Sequence, residues 1–565
     1  MKDKQTLLWL YRNSKTQLIP MMALLLGNVL FAVCGVLFAL FSRNVVDGAV
    51  AKETHLLIIY GGLLLLIIVS QMIIRIFCRS TEARIQGRLE MGYKSKLLQQ
   101  ILHKEYAGTA PYHSGELMNR LTSDITVTSE GVTTIPPNFV RLMTKMLGAF
   151  GVLCFLDLFF ALIFVAVGLF VFFTVRFFRE RLKYVHKNMQ EKDGRLRSFI
   201  QELLESIIVL KIFNVETAME EKAQQLQQNH YQAKLKKNNL SIFANSGIST
   251  VFALGYLFAL LWSAYGLVNG TISFGTLTAI LQLVGQVQTP FSELSGLLPQ
   301  VYAGLASAER IREIENLPDE KQINRQLGTE IYQDLHSIEF EQVSFGYDRE
   351  MVLCQVDLSI RKGDYVGIRG LSGIGKSTLL YLLLGIFEPT TGSINLKLNN
   401  GKRIPIDRHT RKLFAYVPQG NSLLSGSIRE NIALVNAQTG DDEIMRAAQV
   451  SCAADYINRL PRRLDTIIGE KGHGLSEGQA QRIAIARAIL SDRPILLLDE
   501  AGSALDKGTE KQLLNNLNRM TDKTCLIISH KKAAQDVCNK EIIITGTKVK
   551  IYETGRKIEY HENWP

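Results

Sequence analysis

The chain has 565 residues, a formal net charge of +11 and 47% hydrophobic residues, enough for two or more domains. Its Lys and Arg residues are spread along the length without a basic tail or an aromatic-basic patch, which argues against a nucleic-acid partner. Cysteines at 34, 78, 154, 354, 452, 525 and 538 form no C-x-x-C pair and no zinc spacing, so they read as unpaired small hydrophobes in a reducing compartment.

Six apolar runs occupy the first half, at 18–41, 56–77, 136–156, 158–178, 241–268 and 272–299. Most are long enough to cross a hydrocarbon core of about 20 helical residues. Arg141 and Lys145 interrupt the third. The first run is too long for a signal-peptide core and is read as a retained helix. A set of buried core helices is the alternative, and this many runs in 300 residues count against it.

The loops give the orientation. The long loop after the second run carries Arg79, Arg84, Arg88, Lys94, Lys96 and Lys104; the one after the fourth carries Arg179, Arg181, Lys183, Lys187, Lys192, Arg195 and Arg197. Basic loops stay in the cytoplasm, so both long loops and both termini are placed inside. Stretches such as GRLRSFIQELLESIIVLKIFNVE keep helical apolar spacing, so the membrane helices are expected to continue into the cytoplasm. Segments 113–125 and 211–216, near the middle of each loop, are candidates for contact with another domain.

In the last run Gln282, Gln286, Thr289 and Glu293 fall on one helical face. A polar stripe within a span should face water or protein rather than lipid. It is either a substrate pathway or a helix–helix hydrogen-bond seam, and Glu293 could lie near the cytoplasmic end.

After the charged stretch ASAERIREIENLPDE the composition becomes that of a soluble α/β domain. The expected division is 1–310 membrane domain, 311–335 linker and 336–565 ATPase domain. Residues Gly370 to Ser377 match G-x-x-x-x-G-K-S between a β-rich run (365–368) and an apolar helix. That strand-loop-helix context marks a phosphate loop. Its glycines let backbone N–H groups wrap phosphates, Lys376 reaches the terminal ones, and the Ser377 hydroxyl can hold Mg²⁺. The string RPILLLDE ends a buried strand with Asp499, which suits a Mg²⁺ shell, and Glu500, which can polarise water at the strand's C-terminal end.

Between them lies HGLSEGQAQR. Ser476 and Gln479 make an S-x-x-Q capping box, predicting a helix start there. A helix N-terminus with small residues can seat an anion, yet Glu477 places a carboxylate in it.

The order GLSGIGKST, VPQ with Gln419, LSEGQ, ILLLDE, SALD and SH with His530 resembles the nucleotide-binding domain of ATP-binding-cassette proteins. SFGY with Tyr347 is similar to the family's adenine-stacking loop, and LLSGSIRENI and IIGEKG with Glu470 look like its exporter branch. The first half resembles an exporter-type half-transporter, so the fold class implied is a membrane domain of six transmembrane α-helices fused to an α/β phosphate-loop ATPase.

The resemblance implies the site roles. Tyr347 stacks on adenine; Gly370, Ser372, Gly373, Gly375, Lys376, Ser377 and Thr378 bind the phosphates; Ser377, Gln419 and Asp499 hold Mg²⁺. Gln419 also senses the γ-phosphate, Glu500 activates water, His530 positions the γ-phosphate and Asp506 communicates between two sites. Ser476, Gly478 and Gln479 would bind the ATP held by a second subunit's phosphate loop. Segments 113–125 and 211–216 look like the coupling helices. Two departures stand out: Glu477 replaces a glycine, and Gly502 stands where threonine is common. About 17 residues precede the first run, which is read as leaving no room for an N-terminal peptidase domain.

The cofactors implied are ATP and Mg²⁺, and the setting is a multi-pass protein of a bacterial cytoplasmic membrane, in contact with its lipids. The expected partner is a second half-transporter subunit, with a homodimer favoured because no catalytic residue is lost. The expected function is ATP-driven export of a small-molecule, lipid or peptide substrate of amphiphilic or drug-like character. A lipid flippase and an ATP-binding regulator without transport are the alternatives. Intact Lys376, Glu500 and His530 count against the last.

Overall fold

The structure, a computed structural model, describes residues 2–320, 328–347, 350–420, 422–469, 474–520 and 522–553. The chain divides into two units: residues 1–99 with 114–316, and residues 100–113 with 317 onward.

The first unit is helical. A short helix, Lys2–Asn13, precedes α1 (Leu18–Val50), α2 (Thr54–His103), α3 (Ile125–Leu156), α4 (Leu158–Glu205), α5 (Glu216–Val268) and α6 (Phe274–Glu315). Five of the apolar runs lie within one of these helices and the last begins two residues before α6; the basic loops are helix continuations, as their periodicity predicts. The stretches Lys15–Val50, Thr54–His103, Ser114–Leu156 and Glu216–Val268 are long and apolar enough to cross a membrane. In α6 the apolar residues are interleaved with the glutamines, Thr289 and Glu293. Asp157 closes the turn between α3 and α4 by accepting from Phe160 N (2.9 Å) and Trp262 Nε1 (2.8 Å), which satisfies a helix-start donor and ties in α5.

The boundary between the two units falls within the first long loop. Residues 100–113 cluster with the second unit, and the chain rejoins the first unit at Ser114. The reason is a short antiparallel bridge between Lys104 and Asp319. Glu105 N donates to Pro318 O (3.0 Å), Glu320 N donates to His103 O (2.9 Å), and the buried Lys104 ammonium pairs with Asp319 at 2.7 Å.

The second unit carries two main sheets. Strands β1 (Leu335–Tyr347), β2 (Glu350–Arg361), β4 (Thr391–Leu398) and β5 (Arg403–Pro405) form an antiparallel sheet in the order β2-β1-β4-β5. The other contains β3 (Tyr365–Arg369), β6 (Phe414–Val417), β7 (Ile495–Asp499), β8 (Thr524–Ile528), β9 (Lys540–Thr545) and β10 (Lys548–Glu553), ordered β10-β9-β3-β8-β7-β6. Pairs β3–β8, β8–β7 and β7–β6 are parallel. Every residue of β7 and β8 is buried, which accounts for their unbroken apolar sequence. Three helices matter for the site: α7 (Lys376–Leu383), α8 (Glu477–Leu490) and α9 (Lys507–Asn518).

Candidate functional site

Four adjacent parallel strands end on one edge, and each delivers one predicted group. The phosphate loop follows β3, His530 follows β8, Asp499 and Glu500 end β7, and Gln419 follows β6. Residues remote in sequence therefore converge where parallel α/β sheets bind ligands.

The loop geometry needs its glycines. Gly373 and Gly375 have φ of +78° and +106°. A Cβ on Gly375 would also lie 2.4 Å from Val352 Cγ1. Lys376 is 7% exposed and donates to Gly370 O (2.9 Å), Leu371 O (3.0 Å) and His530 Nε2 (3.3 Å). The last bond requires a neutral imidazole with its lone pair on Nε2. Ser372 is exposed and Thr378 is buried, its hydroxyl 3.2 Å from Tyr347 Oη.

Asp499 is 2% exposed, and burial pushes its carboxyl pKa upward. Hydrogen bonds from Ser377 and Tyr416 and the charge of Lys376 oppose that rise, while Glu500 adds to it. Tyr416 Oη donates to Asp499 Oδ2 at 3.3 Å, and desolvation raises the half-buried tyrosine's own pKa. Glu500 has a left-handed backbone (φ +50°) and donates N–H to Ile528 O at 3.0 Å. Its carboxylate accepts from Gln419 Nε2 at 2.7 Å and lies 3.7 Å from His530 Nε2. Gln419, Glu500, His530 and Lys376 thus form one connected polar set.

The signature residues are built differently. Ser476 caps α8 through a complete capping box: its hydroxyl accepts from Gln479 N, and Gln479 Oε1 accepts from Ser476 N. Ser476 and Glu477 are exposed. A Cβ on Gly478 would lie 2.7 Å from Ala504 O, so the glycine permits a close approach of α8 to the SALD turn. Asp506 is exposed and caps α9 by accepting from Gly508 and Thr509 N–H at 3.0 Å each; a hydrogen bond from the Thr509 side chain, and then those backbone bonds, hold its pKa below the usual carboxylate range. Glu470 lies outside the described residues.

Several supporting groups carried no motif. Buried Gln481 donates to Ser503 Oγ (3.1 Å) and accepts from Ala504 N (3.3 Å), tying α8 to the turn before Asp506. Lys531 donates to Gly502 O (2.8 Å) and Leu505 O (3.0 Å) and pairs with buried Glu510 at 3.2 Å. Tyr416 carries no sequence signal, because a tyrosine in a short apolar strand reads as core. Position 481 was legible only as the residue following LSEGQA.

The α6 stripe divides. Gln286 donates to Gly35 O of α1 at 2.8 Å, a helix–helix seam. Thr289 bonds back to Gly285 O within its own helix at 2.7 Å. Glu293 is exposed and pairs with Arg141 of α3 at 3.0 Å. Gln282 is half-buried.

A helical membrane domain joined to a phosphate-loop ATPase, with these groups converging on one sheet edge, defines an ATP-hydrolysing membrane transporter. The ABC transporter transmembrane region family matches residues 21–291, and the ABC transporter family matches residues 353–503. An ATP-dependent lipid A-core flippase of Pectobacterium atrosepticum is 28% identical over 84% of this chain and 80% of its own length. An uncharacterized ABC transporter ATP-binding protein of Bacillus subtilis, YwjA, is 30% identical over 78% and 77%. The solved structure of a bacterial Atm1-family ABC exporter with ATP bound shares the fold, with a TM-score of 0.79, 22% identity and coverage of 94% of this chain and 95% of that one. The chain belongs to the ATP-binding-cassette transporter family, as a multi-pass membrane protein with fused membrane and ATPase domains.

Proposed function

We propose that two identical copies of this chain form an ATP-driven exporter for an amphiphilic, peptide-like or drug-like substrate. The observation that carries this reading is the division of the ATP site. The phosphate loop, Asp499, Glu500, Gln419 and His530 share one strand edge, whereas Ser476 stands exposed at the start of α8. A second copy would bring its Ser476, Gly478 and Gln479 to the first copy's phosphates, and Asp506 would sit at that junction.

Within one half-site the geometry supports the following roles. Tyr347 offers an exposed ring for the base. The backbone from Gly370 through Ser372, Gly373 and Gly375, with Lys376 and Thr378, cradles the phosphates. Glu500 takes the proton of an attacking water, and His530, whose Nε2 lies 3.7 Å from the Glu500 carboxylate, orients the terminal phosphate. The Ser377 hydroxyl, the Asp499 carboxylate and the Gln419 carbonyl are hard oxygen donors. Gln419 uses its NH₂ toward Glu500, leaving its carbonyl oxygen for a cation. That donor set fits Mg²⁺, which binds through a few protein oxygens, waters and phosphates, and which when bound would offset phosphate charge.

Glu500→Gln is expected to abolish turnover in vesicles while ATP binding persists. Hydrolysis near the parent rate would remove Glu500 as the base. The native mass of the chain expressed alone tests the homodimer, and a mass of one copy would sink it. A lipid flippase is the second reading, favoured by the similarity to a lipid A-core flippase. ATPase stimulation compared across lipids, peptides and dyes separates the two, and Gln282, Thr289 and Glu293 are the side chains to vary for the substrate path.

A further inference from the structure

Phe387 is 8% exposed and sits at the centre of an aromatic cluster in the second unit. Its ring meets Tyr347 edge-on (centroids 5.5 Å, 86°), Phe345 (5.2 Å), Tyr381 of α7 (5.8 Å) and Tyr106 (5.8 Å, 60°). Tyr347 is held a second time by Phe345, also edge-on at 5.1 Å and 88°, and its hydroxyl meets Thr378 of α7. The exposed face of Tyr347 is thereby fixed by three contacts, and its freedom to turn is set by Phe387. On the far side of Phe387 stands Tyr106, 53% exposed, in the short helix Tyr106–Thr109.

The backbone of that segment is also anchored. Glu320 accepts from Arg411 at 2.5 Å while its N–H bonds His103 O. Arg411 in turn donates to Leu384 O (2.7 Å) and Gly385 O (2.6 Å), the carbonyls that end α7. Residues 103–106 are therefore linked to the end of the phosphate-loop helix through Glu320 and Arg411, and to the base platform through Phe387. The chain leads directly from this point into α2.

We propose that Phe387 is a positioning residue for the nucleotide base and that Tyr106 is energetically coupled to the base through it. The adenine ring on Tyr347 and the first cytoplasmic loop then share one packed element, and coupling between them is reciprocal. This rests on Tyr347 being the base platform. The contacts argue for a base-specific effect because the ring that Phe387 meets edge-on, Tyr347, is the one that would stack on the base.

The test measures binding of ATP and of inorganic tripolyphosphate, which has no base, to the full chain carrying Glu500→Gln. Phe387→Leu should weaken ATP about tenfold and Tyr106→Leu about two- to threefold, the scale of lost aromatic pairs, with tripolyphosphate unchanged. Tyr106→Leu removes a half-exposed ring and leaves the core intact, so it carries the test even where Phe387→Leu folds poorly. In a Tyr347→Leu background, Tyr106→Leu should have no further effect on ATP. Equal weakening of both ligands, or an undiminished Tyr106→Leu effect in the Tyr347→Leu background, would overturn the coupling. If Tyr347→Leu weakens ATP no more than tripolyphosphate, the base platform itself is misplaced and the coupling falls with it.

Discussion

Two helix starts in the ATPase unit face phosphate chemistry, and they are built in opposite ways. At α7 Lys376 and Asp499 are buried, at 7% and 2% exposed, and Lys376 bonds into a set with half-buried Glu500 and exposed Gln419 and His530. At α8 the first residues, Ser476 and Glu477, are exposed, and the bonds they make are those any capped helix makes. Buried polar groups must find partners within the fold, whereas an exposed N-terminus can leave N–H groups for a ligand. One start is thus a finished half-site. In the proposed dimer the other would complete a site on a second copy.

The strongest way to break this contrast is complementation. Lys376→Ala and Gly478→Val chains should each be close to inactive as homodimers. Mixed, they should recover about a quarter of parent ATPase, because half the dimers would hold one intact pairing of loop and signature. No recovery, with mixed dimers demonstrated by tag pull-down, would mean that each chain completes its own site. Gly478→Val alone is expected to be severe because its Cβ would lie 2.7 Å from Ala504 O and force α8 away from the SALD turn.

Ser476→Ala sharpens the contrast at a smaller scale. Loss of the cap costs about 1 kcal/mol in helix stability. The hydroxyl, which accepts from Gln479 N, also keeps its own proton to donate outward. We therefore expect a severe loss of ATPase with a thermal midpoint lowered by only a few degrees. A midpoint shift without loss of ATPase would leave Ser476 a cap and nothing more.

The two starts were not equally legible. The phosphate loop was readable because glycines, a lysine and a strand-helix switch coincide, each with its own physical reason. The capping box was readable from Ser476 and Gln479 alone. The groups that position them were not. Tyr416, Gln481 and Lys531 act through the order β3-β8-β7-β6, which brings distant segments together and leaves no local pattern. The same limit applies to residues 100–113. Their sequence is continuous with α2, and only pairing with Asp319 and Pro318 assigns them to the ATPase unit. In the membrane half, periodicity located the helices, but the roles of the α6 stripe depended on which neighbour each side chain met.

Glu477 carries the smallest effect and the finest test of the contrast. Its carboxylate is exposed at the first residue of α8. There it stabilises the helix by about 0.3–1 kcal/mol through the dipole. Against a triphosphate brought by another copy it is repelled, by about 1 kcal/mol at 4 Å in water and less when aimed away. Replacement by glycine removes both terms and adds a backbone penalty of about 1 kcal/mol or less at a helix end. The contributions oppose one another, so Glu477→Gly should change ATPase by no more than about threefold, the factor that matches a residue of roughly 0.6 kcal/mol. Repulsion is screened by salt whereas the glycine penalty is not, so the ratio of variant to parent KM for ATP should rise toward higher ionic strength. A flat ratio would place the carboxylate away from the nucleotide, and a large loss of turnover would make Glu477 part of the site.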